Sequence, residues 1–180
     1  MRKLKANEIE VKVNQVIKTD KFEGFQALLY KTARVDMDIL DETYGDMNWQ
    51  SDYKVVKDNL YCGIGVRDGQ TGDWVWKWDV GIESRVDSGN EKKGEASDAF
   101  KRAGFKWGIG RELYTSPKIF IQADVITKDG KNYLKDKYMT YSVKTIEYDK
   151  DGDIASLVIV DKNGGFVFAW KKPGFAGDKK

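Results

Sequence analysis

The chain has 180 residues, of which 41% are hydrophobic and 33% charged, a composition typical of a folded globular protein. Its 31 Lys and Arg nearly balance its 29 Asp and Glu, so the net charge of +2 identifies no partner by itself. The sequence contains no histidine, which excludes a His base, a Ser-His triad and a His-ligated metal. Its one cysteine, Cys62, can form neither an intrachain disulfide nor a cysteine-based zinc site.

Neither targeting nor membrane insertion is indicated by the sequence. The basic residues at positions 1–5 are followed by polar residues, unlike the apolar stretch of a secretion signal. No run approaches the ~20 apolar residues of a membrane span. We therefore expect a cytoplasmic protein.

Alternation of apolar and polar residues predicts strands along most of the chain. The first two are predicted at 9–13 and 25–30. Turn signals then separate three antiparallel strands, at 48–57, 60–67 and 74–84. Beyond Pro117 the pattern predicts a further set of strands, at 118–122, 137–148, 154–160 and 166–170. Asp151-Gly152 and Asn163-Gly164-Gly165 predict hairpin turns between the last three strands.

Two helices are predicted among these strands. The first, at 35–44, has apolar residues on one side and ends at Gly45. The second, at 92–107, has a buried ridge at helical spacing, formed by Ala96, Phe100, Ala103 and Trp107. Gly104 inside it costs about 1 kcal/mol of helix propensity, which predicts a close packing contact at that position.

Three tryptophans, Trp74, Trp76 and Trp78, lie on one face of the predicted strand 74–84. They can pack against the second helix as core, or form a platform on which bases stack. The stripe continues into Val80 and Ile82, which favours the core.

Three motifs are weak candidates for other sites. The segment 149–153 (DKDGD) resembles the start of a calcium loop, but the positions that need Gly and Glu hold Ile154 and Val160, so a hairpin turn is favoured. Gly108-Ile109-Gly110 follows a helix rather than a strand, which favours a helix end over a dinucleotide site. Four acids on the first helix could hold Mg²⁺, although a solvated helix face is favoured: Asp36, Asp38, Asp41 and Glu42.

The segment 91–111 has a local excess of three positive charges. Its cations are Lys92, Lys93, Lys101, Arg102, Lys106 and Arg111. Lys101 and Arg102 flank the apolar ridge of the second helix, so we expect them at the edge between helix and sheet. A strand of phosphates could lie along that edge.

The same helix carries a resemblance to a known family. Residues 93–103 (KGEASDAFKRA) and 107–114 (WGIGRELY) resemble Sak-type phage single-strand annealing proteins, of the Rad-fifty-two-like recombination superfamily. Shorter segments upstream fit the same pattern, at 30–35 (YKTARV), 40–45 (LDETYG), 48–50 (NWQ) and 79–81 (DVG). The resemblance covers about residues 9–117.

The resemblance implies an α+β fold, in which an antiparallel sheet has a β-β-α-β-β-β-α core and a C-terminal β-meander is added. It assigns residues 1–117 to an oligomerising annealing core and 118–180 to a β-rich extension. It also implies that single-stranded DNA lies in a basic groove with its bases outward. The family's groove cations fall on Arg34, Lys101 and Arg102, and Lys93, Lys106 and Arg111 are further DNA-binding candidates.

The function that follows is annealing of complementary strands in homologous recombination, without catalysis, cofactor or metal. The expected partners are single-stranded DNA, further copies of the chain in a ring or arc, a phage exonuclease and a single-strand-binding protein, in the cytoplasm of a bacterial host. A binder that does not anneal is the first alternative. A Mg²⁺-dependent nuclease using the acids of the first helix is the second.

Overall fold

The computed structural model describes residues 1–82 and 91–177. The described residues are mostly β, with 45% in strands and 21% in helices. The described residues include two α-helices, α1 (Ala33–Tyr44) and α2 (Glu91–Lys106). The strands up to α2 are β1 (Glu10–Lys18), β2 (Glu23–Tyr30), β3 (Trp49–Val56), β4 (Asn59–Arg67) and β5 (Trp74–Val80). The strands after α2 are β6 (Ile119–Gln122), β7 (Val125–Lys128), β8 (Lys131–Leu134), β9 (Tyr141–Tyr148), β10 (Ile154–Asp161) and β11 (Phe166–Lys171).

The predicted α+β fold, with one antiparallel sheet built on a β-β-α-β-β-β-α core and a separate C-terminal meander, is wrong. β1 and β2 do not join β3, β4 and β5; they pair with each other and with the strands β9 and β6 from the C-terminal part of the chain. Alternation identifies a strand and its buried face, but it does not identify the strand's partner. The two N-terminal strands therefore contribute to the C-terminal sheet.

The described chain divides into two compact units, each described by itself below. The helical unit consists of Met1–Lys3 and Lys31–Arg111, and the large-sheet unit consists of Leu4–Tyr30 and Glu112–Lys180. Neither unit is one continuous stretch of chain. Among the described residues, no helix is long and apolar enough to cross a membrane.

The large-sheet unit contains a six-stranded sheet in the order β11-β10-β9-β1-β2-β6, curled until it is nearly closed. β1 and β2 form a long antiparallel hairpin whose register shifts between Val13 and Gln15. β7 and β8 form a separate two-stranded hairpin. Fully buried side chains from several strands fill the core, among them Phe25, Ile119, Ile121, Leu157 and Ile159. The two glycine turns lie where the sequence predicts them, between β9 and β10 and between β10 and β11.

The helical unit contains a three-stranded antiparallel sheet in the order β3-β4-β5, with β3 and β5 as its edges. Alternate side chains of β4, namely Cys62, Ile64 and Val66, are buried. They share a core with Phe100 and Ala103 of the ridge on α2. We call the face that α2 covers the inner face, and the opposite one the outer face. β5 ends at Val80, short of the predicted 84, and residues 83–84 lie outside the described part.

α1 ends at Tyr44 as the sequence predicts, and it begins at Ala33, two residues before the predicted start. The hydroxyl of Thr32 accepts a hydrogen bond from the backbone N–H of Val35, which caps the first turn. Gly45 follows the last residue with φ +80°, a conformation in which glycine is not strained.

A buried ion pair lies between the two helices. Lys31 Nζ is 2.5 Å from both carboxylate oxygens of Asp36, and both side chains are almost fully buried. Burial raises the pKa of Asp36 to about 6, an effect that the neighbouring Lys31 charge opposes. A Cβ on Gly104 would overlap Asp36 Oδ2, so the predicted close contact at Gly104 is confirmed.

Candidate nucleic-acid interface

Cations gather where α2 meets the edge strand β5. Arg102 and Lys106 are one turn apart on α2, so they project from the same side of the helix. Arg102 Nη2 is 3.5 Å from Asp79 Oδ1, and Lys106 Nζ is 3.8 Å from Asp79 Oδ2. Asp79 is on the inner face of β5, as is Lys77 two residues earlier. One carboxylate thus contacts two of the cations that surround it.

Two more cations bind the carbonyl groups at the end of α2. Lys77 Nζ donates to the carbonyl of Lys106 at 3.2 Å. Arg111 donates from Nε to the carbonyl of Phe105 at 2.8 Å, and from Nη2 to that of Lys106 at 2.9 Å. The last carbonyls of a helix have no partner within it, and cations near them are favourable. Arg111 and Lys77 therefore stabilise the helix end. We call this cluster, Lys77, Arg102, Lys106 and Arg111, the basic edge.

The basic edge is accessible and its ion pairs are weak. The side chains of Arg102 and Lys106 are 42% and 49% exposed. Ion pairs this exposed contribute about 0–1 kcal/mol. A phosphate oxygen could therefore replace Asp79 as a partner of these side chains at little cost.

Lys101 is on a different side of α2 from Arg102. Consecutive residues of a helix point about 100° apart. The Lys101 carbonyl accepts a hydrogen bond from Lys31 Nζ at 3.3 Å, and the Lys101 charge opposes the rise that burial causes in the pKa of Asp36. Its ammonium is 3.9 Å from Asp98 Oδ1. Lys101 thus faces the buried ion pair rather than the basic edge.

Arg34 and Lys93 are exposed, on α1 and α2 respectively. Within residues 1–82 and 91–177, neither side chain has an ion-pair or hydrogen-bond partner, and Arg34 does not pair with Asp38. Of the six predicted DNA-binding cations, the structure therefore brings together Arg102, Lys106 and Arg111, and it adds Lys77, which the sequence did not indicate.

The tryptophan stripe lies on the outer face, so its interpretation as core against α2 is wrong. Trp76 and Trp78 pair directly with Gly65 and Gly63 of β4, whereas the buried Ile64 between those glycines pairs with Lys77. Directly paired residues project from the same face of an antiparallel sheet. The indoles therefore project away from α2, and Lys77 projects toward it.

The two indole rings lie flat on the sheet. A Cβ on Gly65 would be 2.8 Å from the ring of Trp76, and a Cβ on Gly63 would be closer still to the ring of Trp78. Each ring thus occupies the space that a side chain on its paired glycine would need. The rings are nearly parallel to each other, at 25°, with centroids 5.6 Å apart.

Three of the four acids of α1 have separate partners. Asp36 pairs with Lys31, Asp41 accepts a hydrogen bond from Trp49 Nε1 at 2.5 Å, and Glu42 pairs with Arg2. In the part of the chain that the structure describes, no group of three or more acidic or Cys side chains could hold a metal ion.

The DKDGD segment forms the turn between β9 and β10. The Asp149 carboxylate accepts hydrogen bonds from the backbone N–H groups of Asp151 and Asp153, both at 3.0 Å. It also pairs with Lys172 Nζ at 2.5 Å. The hairpin-turn prediction is confirmed.

No family model, no curated protein and no solved structure matches the chain. Function must therefore be inferred from the residues of this chain.

Proposed function

We propose that the protein binds single-stranded DNA and promotes the annealing of complementary strands in homologous recombination. The basic edge is the observation that supports this function best. Four cations gather there, two of them paired with the Asp79 carboxylate and two bound to carbonyls at the end of α2. Such a cluster suits a chain of phosphates, because each cation that meets a phosphate releases counterions.

Annealing requires the mutual repulsion of two phosphate backbones to be reduced. Arg102 and Lys106 would exchange Asp79 for phosphate oxygens, and Arg111 and Lys77 would add charge at the end of α2. Phosphate contacts position a strand without reading its sequence. Pairing between the strands then supplies both the free energy and the specificity, so the protein needs no covalent step, nucleotide or cofactor.

The resemblance to Sak-type annealing proteins extends this proposal to the assembly. We expect a homo-oligomeric ring or arc in the cytoplasm of a bacterial host, acting with a phage exonuclease and a single-strand-binding protein. β3 and β5 are edge strands within the described sheet, and an edge strand offers a template for pairing with another chain.

The test is an annealing assay with two complementary labelled strands, in chelator and without ATP. The wild type should accelerate annealing, and Arg102→Ala with Lys106→Ala should accelerate it much less. Lys135→Ala is the matched control, because Lys135 is an exposed lysine of the large-sheet unit that also pairs with an aspartate. It should behave as the wild type does.

Three results would contradict the proposal. If the wild type binds strands but does not accelerate annealing, the protein is a non-annealing binder. Shortened strands in the presence of Mg²⁺ would favour a nuclease. Equal loss of annealing in all variants, Lys135→Ala included, would show that the basic edge has no particular role.

A further inference from the structure

The outer face of the β3–β4–β5 sheet carries an aromatic surface that neither helix of its unit covers. α2 contacts the sheet through its inner face, where the rings of Phe100 and Trp49 meet edge to face. α1 contacts the same face, through the hydrogen bond from Trp49 to Asp41. On the outer face Trp74 is 39% exposed, and Trp76 and Trp78 are partly exposed.

Trp76 and Trp78 form a flat aromatic surface, which we call the platform. With one side of each ring against a glycine, Trp76 and Trp78 direct the other side away from the sheet. Because the two rings are nearly parallel, they present two adjacent faces to the same ligand. A flat π-system can stack on such faces, whereas an aliphatic side chain gains no comparable overlap.

Cations flank the platform. Lys54, on the neighbouring β3, has its ammonium 4.3 Å from the centroid of the Trp78 ring. Lys54 is 60% exposed, and both its 3.8 Å ion pair with Asp52 and its contact with the Trp78 ring are weak, so it can move to another anion. Arg67 pairs with Trp74 across β4 and β5 and is exposed at the other end of the stripe. Flat rings beside two exposed cations suit a ligand made of aromatic rings and phosphates.

We propose that Trp74, Trp76 and Trp78 form a base-stacking site for single-stranded nucleic acid, a site that rests on the proposed binding of single strands. β5 is an edge strand of its sheet, and its alternate residues project to opposite faces. Lys77 belongs to the basic edge, and Trp76 and Trp78 lie on the platform. A strand that crosses the β5 edge therefore has its phosphates at the basic edge and its bases on the indoles.

A protein partner is the competing occupant of this face. Charge favours the nucleic acid, because Lys54 and Arg67 lie beside the rings on the outer face. The basic edge lies on the other side of β5 and adds further positive charge. The stacking of bases on aromatic rings is insensitive to sequence, which matches phosphate contacts that are equally insensitive.

The experiment compares two oligonucleotides of equal length, oligo-dT and an abasic strand with the same backbone. Affinities are measured by competition for the wild type, Trp76→Leu, Trp78→Leu and Val75→Ala. Leucine still covers the paired glycine but offers no ring. Val75→Ala is the matched control, because Val75 lies between two of the tryptophans and projects to the inner face.

The wild type should prefer oligo-dT to the abasic strand. Each Trp→Leu change should lower the affinity for oligo-dT by about fivefold or more and leave the abasic affinity unchanged. Val75→Ala should change neither affinity. Independently of folding in the variants, oligo-dT should quench the tryptophan fluorescence of the wild type, and the abasic strand should not.

Each contrary result identifies which idea fails. If the wild type binds both strands equally and the Trp→Leu variants match it, the platform is overturned while the proposed function stands. If the wild type binds neither strand, both are overturned. If the Trp→Leu changes abolish self-association and leave base preference intact, the outer face is a protein interface and the stacking site is overturned.

Discussion

The two faces of the β3–β4–β5 sheet differ in what covers the same strands: a packed helix on the inner face and indole rings on the outer face. On the inner face, Cys62, Ile64 and Val66 are buried beneath α2, beside a core that contains the Lys31–Asp36 ion pair. On the outer face the positions between them are glycines, and indole rings lie over the backbone. Substitutions on the inner side should therefore change mainly the free energy of unfolding, and substitutions on the outer side should change mainly binding.

Lys31→Met should have the largest effect on stability. It leaves the Asp36 carboxylate buried without its partner, and breaking a buried pair from one side costs about 3–5 kcal/mol. Urea unfolding at neutral pH measures this loss. The double variant Lys31→Met with Asp36→Leu should recover most of it, since it buries no charge. A single variant within about 1 kcal/mol of the wild type would contradict the account of the inner face.

Stability should also fall as the pH rises from about 4 to about 6. The unfolded Asp36 ionises near 3.8 and the folded one near 6, so the folded state holds more protons within that window. Protonation of Asp36 contributes about 3 kcal/mol to the free energy of unfolding below pH 3.8, and this contribution is lost as the pH rises through about 6. The observable is the difference in unfolding free energy between the wild type and the double variant. A difference that does not change with pH would show that burial does not raise the pKa of Asp36.

Gly104→Ala should destabilise the protein by about 2 kcal/mol, although alanine is the better helix former. The new methyl group would overlap Asp36, which Lys31 holds in place and which cannot move into solvent. Gly69→Ala is the control, because Gly69 has open space around it. A Gly104→Ala variant that melts at a higher temperature than the wild type would refute the close contact.

Gly63→Ala, on the outer face, should cost only about 1 kcal/mol, a small overpacking penalty. Its methyl group would also overlap a neighbour, the ring of Trp78, but that ring can rotate toward solvent. The expected signs are a small fall in melting temperature and a red shift in tryptophan emission. If Gly63→Ala destabilises more than Gly104→Ala, the two faces do not differ as described.

The local structure could be predicted from the sequence better than the arrangement of strands. The periodicity of α1 and α2, the capping glycine Gly45 and the strands β3, β4 and β5 are local signals, and the structure contains each of them. Which strands pair is decided by contacts between distant segments, which is why β1 and β2 were assigned to the wrong sheet. The short strands β7 and β8 have too little alternation to be recognised.

The candidate site was predictable in part, for a similar reason. Positive charge in 91–111 is visible in the sequence, but which side of α2 each cation occupies depends on how the helix packs. Gly63 and Gly65 did carry a usable signal. They alternate on β4 opposite Trp76 and Trp78 across one hairpin, and paired glycines and tryptophans indicate rings lying over the backbone.

The most direct test of the central claim is the salt dependence of oligo-dT binding. The wild type and the double variant Arg102→Ala with Lys106→Ala are titrated at several salt concentrations, and their melting temperatures are compared. Loss of two phosphate contacts should weaken binding and make the slope of log K against log salt shallower by about 1.4, with folding preserved. An unchanged affinity and slope in a folded double variant would show that single strands do not bind at the basic edge.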